Sequence, residues 1–179
     1  MYCGSNKTAL QSQRQIARAM MALIREKPYA QITVSELCKT AGISRQTFYS
    51  LFTSRENVLV FTLQASACDA PEISAPESGC SALRALSRSY SEYMLHNREL
   101  IKLLVDNHID YLLYDSFFEA MDGCGCFLPG AEPCLRRYAA SFYAGGIACV
   151  ARRYAREGCT SSADALEELL MTLLSGALF

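Results

Sequence analysis

Arg45 and Gln46 stand side by side directly after Ser44, and they carry the most specific chemistry in this sequence. A guanidinium fork matches the O6 and N7 acceptors of guanine, and a carboxamide matches the N6 and N7 edge of adenine. Both pairings require a helix whose first turn faces base edges in the major groove. Thr47 and Tyr49, just beyond, offer hydroxyls suited to phosphate oxygens, as does Thr33 upstream; such contacts fix register without reading sequence. Ser54 and Arg55 adjoin at a further predicted helix start, where free amides and a cation together favour a phosphate.

The elements that would hold these groups are legible in the surrounding residues. From Lys7 to Lys27 the apolar positions Ile16, Ala17, Met20, Leu23 and Ile24 share one helical face, and Lys27-Pro28 stops the helix. Thr33 and Glu36 have capping-box spacing, with Ile32 and Leu37 placed as a hydrophobic staple. Gly42 ends that short helix, being the residue that adopts a left-handed conformation at low cost. Ser44 then caps a second short helix closing near Leu51-Phe52, with Ile43 and Phe48 as its staple. Thr53 and Glu56 are spaced as another capping box, opening a longer helix through Val58, Leu59, Phe61, Thr62 and Ala65. Two short helices split by a tight glycine turn have helix-turn-helix spacing, and Leu37, Ile43 and Phe48 supply the apolar contacts where they cross.

The run from Thr33 to Phe52 resembles the DNA-binding domain of the tetracycline-repressor (TetR) family. In that family a turn ending in Gly and an aliphatic residue leads into Ser, Thr, an aromatic residue and Tyr, here Gly42-Ile43-Ser44, Thr47, Phe48 and Tyr49. The stretch Phe52 to Leu59 is similar to the family's approach to its fourth helix. The similarity extends over residues 8–65. Gln46 departs from the Gly that the family often carries, Leu51 from its frequent His, and Arg55 from its usual Lys. The added side chain at Gln46 implies an operator different from those of Gly-type members.

The expected architecture is all-α. A three-helix helix-turn-helix domain occupies residues 1–55, and a helical regulatory and dimerisation bundle occupies residues 56–179. Asp69–Gly79, with Pro71 and Pro76, reads as a connector, and Asp122–Pro133 as a second loop. Helical period returns at Leu83–Met94, breaks at Asn97–Glu99, and runs on from Leu100 to Met121. Two strong helices close the chain. Leu135, Phe142, Gly146 and Val150 on one, with Leu166, Leu169, Leu170, Leu173 and Leu174 on the other, are the expected dimer interface. The resemblance implies that two such helices per subunit form a four-helix contact. Two half-sites about one DNA turn apart need two linked heads.

Tyr93, Met94, His108, Tyr111, Phe117, Phe118, Phe142 and Tyr143 are candidates for an effector pocket between the middle helices. A small apolar or aromatic molecule is the class such a lining would take. It would act by favouring a head separation that no longer matches the operator. The function this implies is a repressor binding a palindromic operator as a homodimer, with double-stranded DNA as partner. The alternative is a protein of the same fold acting as a protein-binding coactivator or adaptor.

Composition agrees. Eight basic residues face three acidic ones in residues 1–60, so the first third is positive although the whole chain carries −1. A basic head on an acidic body suits a polyanionic partner. The longest apolar stretch, near Ala139–Ala151, is shorter than the ~20 residues a membrane helix needs, so no membrane partner is expected. With no secretory leader, the expected location is cytoplasmic and the nine cysteines are expected as reduced thiols. Cys124, Cys126 and Cys134 lack the spacing of a zinc ribbon, and Cys3 lacks the leader of a lipid anchor. The sequence has no phosphate-cradling glycine loop, no nucleophile elbow and only two histidines, His96 and His108; no enzyme activity, cofactor or metal is expected.

Overall fold

The computed structural model describes residues 2, 4–67, 80–125 and 127–176, of which 66, 67 and 80 by backbone alone. Cys3, Cys126 and the connector Asp69–Gly79 lie outside the described residues. Among those described, all regular structure is helical: nine α-helices, one short 3-10 turn and no strand. No described helix is long and apolar enough to cross a membrane.

The chain divides into two compact units, residues 1–65 and 66–179. The first contains α1 (Lys7–Glu26), the 3-10 turn Tyr29–Gln31, α2 (Val34–Ala41), α3 (Arg45–Leu51) and most of α4 (Arg55–Ala67). Asn6 caps α1 by accepting from the amides of Thr8 and Ala9. The expected apolar face is fully engaged, with Ile16 and Met20 completely buried beside Leu37, Phe48 and Phe52 in one core.

The boundary expected at residues 55/56 falls instead at 65/66. The reason is that α4 is built into the head. Val58, Leu59 and Leu63 are buried, and the Phe61 ring meets Phe52 edge-on at 5.7 Å.

The second unit contains α5 (Cys80–His96), α6 (Arg98–Asp106), α7 (Tyr111–Gly123), α8 (Pro133–Arg156) and α9 (Ala163–Leu174). α5 packs chiefly on α9, and α8 packs on both α6 and α7. The break at Asn97 appears as expected. The apolar run Leu100–Met121, which reads as continuous, is cut between α6 and α7, where His108 has a φ of 57°. A left-handed residue cannot be carried inside a right-handed helix. Gly158 and Cys159 likewise turn the chain out of α8 with positive φ.

Partly exposed ion pairs link the helices of this unit. Glu167, nearly buried, accepts from Arg84 at 3.2 Å, and the same arginine reaches Glu168 at 2.9 Å. Arg152 on α8 pairs with Asp110 at the start of α7.

Candidate nucleic-acid interface

The turn between α2 and α3 follows from local chemistry. Gly42 has a φ of 67°, its amide donates to the Lys39 carbonyl, and the Ile43 amide donates to the Cys38 carbonyl at 2.9 Å. This pair of bonds satisfies two end carbonyls of α2 while reversing the chain, which is the Schellman arrangement. Ser44 then starts α3 by accepting from the Thr47 amide at 3.0 Å, and its hydroxyl also meets the Thr47 hydroxyl at 2.9 Å. A cap of this kind stabilises a helix by about 1 kcal/mol.

Phe48 and Leu51 turn inward and Phe48 is completely buried, so the other face of α3 is directed outward. Arg45 and Gln46 are exposed in the first turn of that helix, and Tyr49 is 53% exposed with its ring edge-on to Phe48. Thr47 is half-buried. The structure therefore brings Ser44, Arg45, Gln46, Thr47 and Tyr49 onto one short helix, with the two base-matching side chains unobstructed.

Thr33 caps α2 through the Glu36 amide at 3.2 Å. The other half of that capping box is not made, because the Glu36 carboxylate takes the Lys27 ammonium at 2.5 Å. The hydrogen bond from Lys27 holds the Glu36 carboxyl below its usual value. At the next start, the cap shifts by one residue from the expected Thr53 to Ser54, which accepts from the Asn57 amide at 3.3 Å. The Thr53 hydroxyl donates instead to the Asn57 side chain.

Arg55 differs from expectation. Its guanidinium is turned into the head, over the Tyr29 ring, and Nη1 donates to the carbonyls of Tyr29 and Ile32. It is a strut for the 3-10 turn, with that nitrogen withheld from a phosphate. Glu56 completes the arrangement by accepting from the Tyr29 hydroxyl at 2.8 Å. Neither the 3-10 turn nor its strut has a signal in the local sequence pattern.

The second unit redistributes the candidates assigned to it. Tyr93, Met94 and Phe117 are core residues, with Tyr93 and Tyr90 both edge-on to Phe117. His108, Tyr111 and Phe142 are exposed, Phe142 at 68%. The expected set thus divides between core and surface positions. Phe118 lines a groove with Glu132, Pro133, Cys134, Arg137, Tyr138 and Ser141.

The expected dimer face also splits. Leu166 and Leu170 are 2% and 0% exposed, packed into their own subunit, which removes them from any interface. Leu135, Phe142, Leu169 and Leu173 point outward, joined by Tyr138, while Gly146, Val150 and Leu174 are half-buried. A Cβ on Gly146 would sit 3.4 Å from the Leu174 side chain, so this glycine lets α9 lie close to α8. Cys38, Cys134, Cys149 and Cys159 are free thiols, and burial pushes the Cys38 thiol up. Among the described residues no three His, Cys, Asp or Glu side chains gather as a metal site.

The head matches the family described as bacterial regulatory proteins, tetR family, over residues 16–60. Over 53 residues the chain is 42% identical to the HTH-type dhaKLM operon transcriptional activator DhaS of Lactococcus lactis, covering 30% of this chain and 28% of that one. Over 41 residues it is 51% identical to the HTH-type transcriptional regulator EthR of Mycobacterium tuberculosis, covering 23% and 19% respectively. The chain thus matches less than a third of the length of these curated relatives. Across nearly the full length, the fold resembles two solved structures. One is the dihydroxyacetone kinase operon activator DhaS, with a TM-score of 0.52, 20% identity and 93% and 94% of the two chains covered. The other is the fatty acid degradation regulator FadR from Bacillus halodurans, with a TM-score of 0.54, 18% identity and 96% of each chain covered. The helix-turn-helix head thus matches the tetR family of bacterial regulatory proteins by sequence, and the chain as a whole shares its all-helical fold with these two solved structures.

Proposed function

We propose that this regulator binds a palindromic operator as a homodimer, with α3 of each subunit in the major groove. Arg45 and Gln46 read base edges there, Thr47, Tyr49 and the Thr33 end of α2 contact phosphates, and Ser54 presents a helix start to the backbone. The observation that carries this reading is the exposure of Arg45 and Gln46 on the outward face of a short capped helix whose opposite face is locked by Phe48. The positive balance of residues 1–60 adds the electrostatic attraction that non-specific and specific binding share.

The outward row Leu135, Tyr138 and Phe142 on α8, with Leu169 and Leu173 on α9, supports pairing of two copies. Large apolar side chains in one contiguous patch are uncommon on a solvated monomer surface. Occupancy of an operator by such a dimer would repress, and a small apolar or aromatic effector bound in the second unit would release it. A second reading is activation through a protein partner. It is favoured by the likeness to DhaS, whose name is that of an activator, in both sequence and fold.

The test is selection of genomic fragments by the purified protein, followed by a mobility shift on the recovered duplex across a salt series. Binding that weakens steeply with salt and is lost in Arg45→Ala supports the reading. Retention of no duplex by the wild-type protein overturns it. A reporter under the recovered operator separates repression from activation by the sign of its change when the gene is deleted.

A further inference from the structure

α3 is seven residues long, and its last carbonyls have no partner within the helix because the chain turns away at Phe52. One of them does not face water. The Leu51 carbonyl accepts from the backbone N–H of Tyr2 at 2.8 Å. Tyr2 is itself fixed from two sides. Its carbonyl accepts from Gln13 Nε2 at 3.0 Å, and its hydroxyl accepts from the amide of Asn6, the cap of α1, at 3.2 Å.

Gln13 is the informative partner. It lies on the buried face of α1 among Ile16, Ala17 and Met20, and it is completely inaccessible. Among the described residues its Oε1 has no hydrogen-bond partner. Leaving a buried amide oxygen unpaired is costly, and a leucine of similar length would fill the site without that penalty. The bond from Nε2 to Tyr2 is what an amide provides at this position and a leucine does not.

We infer that Gln13 and the backbone of Tyr2 form a clasp that fixes the C-terminal turn of the recognition helix. Both are positioning residues and touch no base. The clasp bridges α1, the long rigid element of the head, to the end of a helix too short to stay rigid by its own bonds. Its contribution to DNA binding rests on the reading proposed above, because a recognition helix that frays at one end presents its first turn less sharply.

The test compares wild type, Gln13→Leu, Tyr2→Pro and Tyr2→Phe as full chains. Proline removes the N–H that reaches Leu51, whereas phenylalanine keeps it. Amide hydrogen exchange of the protein alone is read at Phe48 and Phe52, whose amides report the two ends of α3. Gln13→Leu and Tyr2→Pro are each expected to speed exchange at Phe52 by roughly 3- to 10-fold, the effect of one ordinary hydrogen bond. The double variant should do no more than either single one, with α1 and α2 amides unchanged. Tyr2→Phe, which keeps the N–H to Leu51 and loses only the hydroxyl contact with Asn6, should show a clearly smaller effect at Phe52 than Tyr2→Pro. On the duplex recovered by genomic selection, the same two variants should bind several-fold more weakly.

Unchanged exchange at Phe52 overturns the clasp. So does faster exchange spread evenly over α1, α2 and α3, which marks general destabilisation, or a Tyr2→Phe effect as large as that of Tyr2→Pro. If local exchange rises as expected while wild type retains no duplex, the clasp stands and the DNA-binding reading falls.

Discussion

The guanidinium carbon of Arg55 lies 4.7 Å from the centre of the Tyr29 ring, and Nη1 of the same side chain donates to the Tyr29 carbonyl at 3.2 Å. One residue of α4 thus grips both the face and the backbone of the turn that joins α1 to α2. Arg55→Ala should therefore lower the melting temperature of the head, by the equivalent of about 1–3 kcal/mol for hydrogen bonds to a charged donor. Arg55→Lys keeps the charge without the planar fork and should recover only part of this. Thermal unfolding followed by far-UV circular dichroism checks it. An unchanged melting temperature with a large loss of duplex affinity would return Arg55 to the role of a phosphate contact.

Glu56 on the neighbouring position makes the same junction sensitive to acid. Burial works to raise its carboxyl, but hydrogen bonds from its own amide, Tyr29 and Ser54 outweigh that and hold it below the usual value. A carboxyl depressed in the fold stabilises fully above its unfolded pKa, about 4.3 for Glu, and that stabilisation is lost as pH falls through the folded value. Tyr29→Phe removes one donor to the carboxylate. The variant should melt below wild type at neutral pH, with the gap narrowing as pH drops below about 4. A gap that stays constant down to acid pH would show that the hydroxyl does not act through Glu56.

Gln46 adds a carboxamide beside Arg45 on the exposed turn of α3. Because its side chain packs against nothing in the core, Gln46→Ala should leave the melting temperature unchanged. It should weaken binding to the selected operator by about 1–3 kcal/mol and relax the preference at one base pair per half-site. Fragment selection repeated with the variant measures this. An identical consensus from both proteins would remove Gln46 from base reading.

What the sequence makes legible is short-range. Thr33, Gly42 and Ser44 act on amides and carbonyls within five residues, so type and spacing suffice to place α2, the turn and α3. The strut from Arg55 spans 26 residues back to Tyr29, and the clasp from Gln13 spans 11 back to Tyr2; no local period encodes either. Even local chemistry is ambiguous where two caps compete, as Thr53 and Ser54 do. In the second unit, period gives α9 its apolar positions but not which of them face inward. Leu166 and Leu170 are taken by the subunit's own core, and the aromatic residues grouped as a pocket divide between core, as Tyr93 and Phe117, and surface, as Tyr111 and Phe142.

That division of α9 sets up a comparison between residues one position apart. Leu169 is 45% exposed and Leu170 is not exposed at all, although both read as part of one apolar face. If Leu169, Leu173 and Phe142 form the contact between copies, Phe142→Glu combined with Leu173→Glu places four carboxylates in one apolar interface, two from each subunit. Unpaired charges there are strongly unfavourable, so the dimer should dissociate while each subunit keeps its helical content. Leu170→Glu should instead unfold the second unit, since it buries a charge inside the subunit itself. Light scattering after size exclusion reads the mass, and circular dichroism reads the fold. A monomeric double variant with native helicity and much weaker operator binding supports the two-headed arrangement, because losing the linkage removes the second half-site. A double variant that elutes and scatters like wild type would mean the copies associate through another surface, leaving the outward row on α8 and α9 for a different partner.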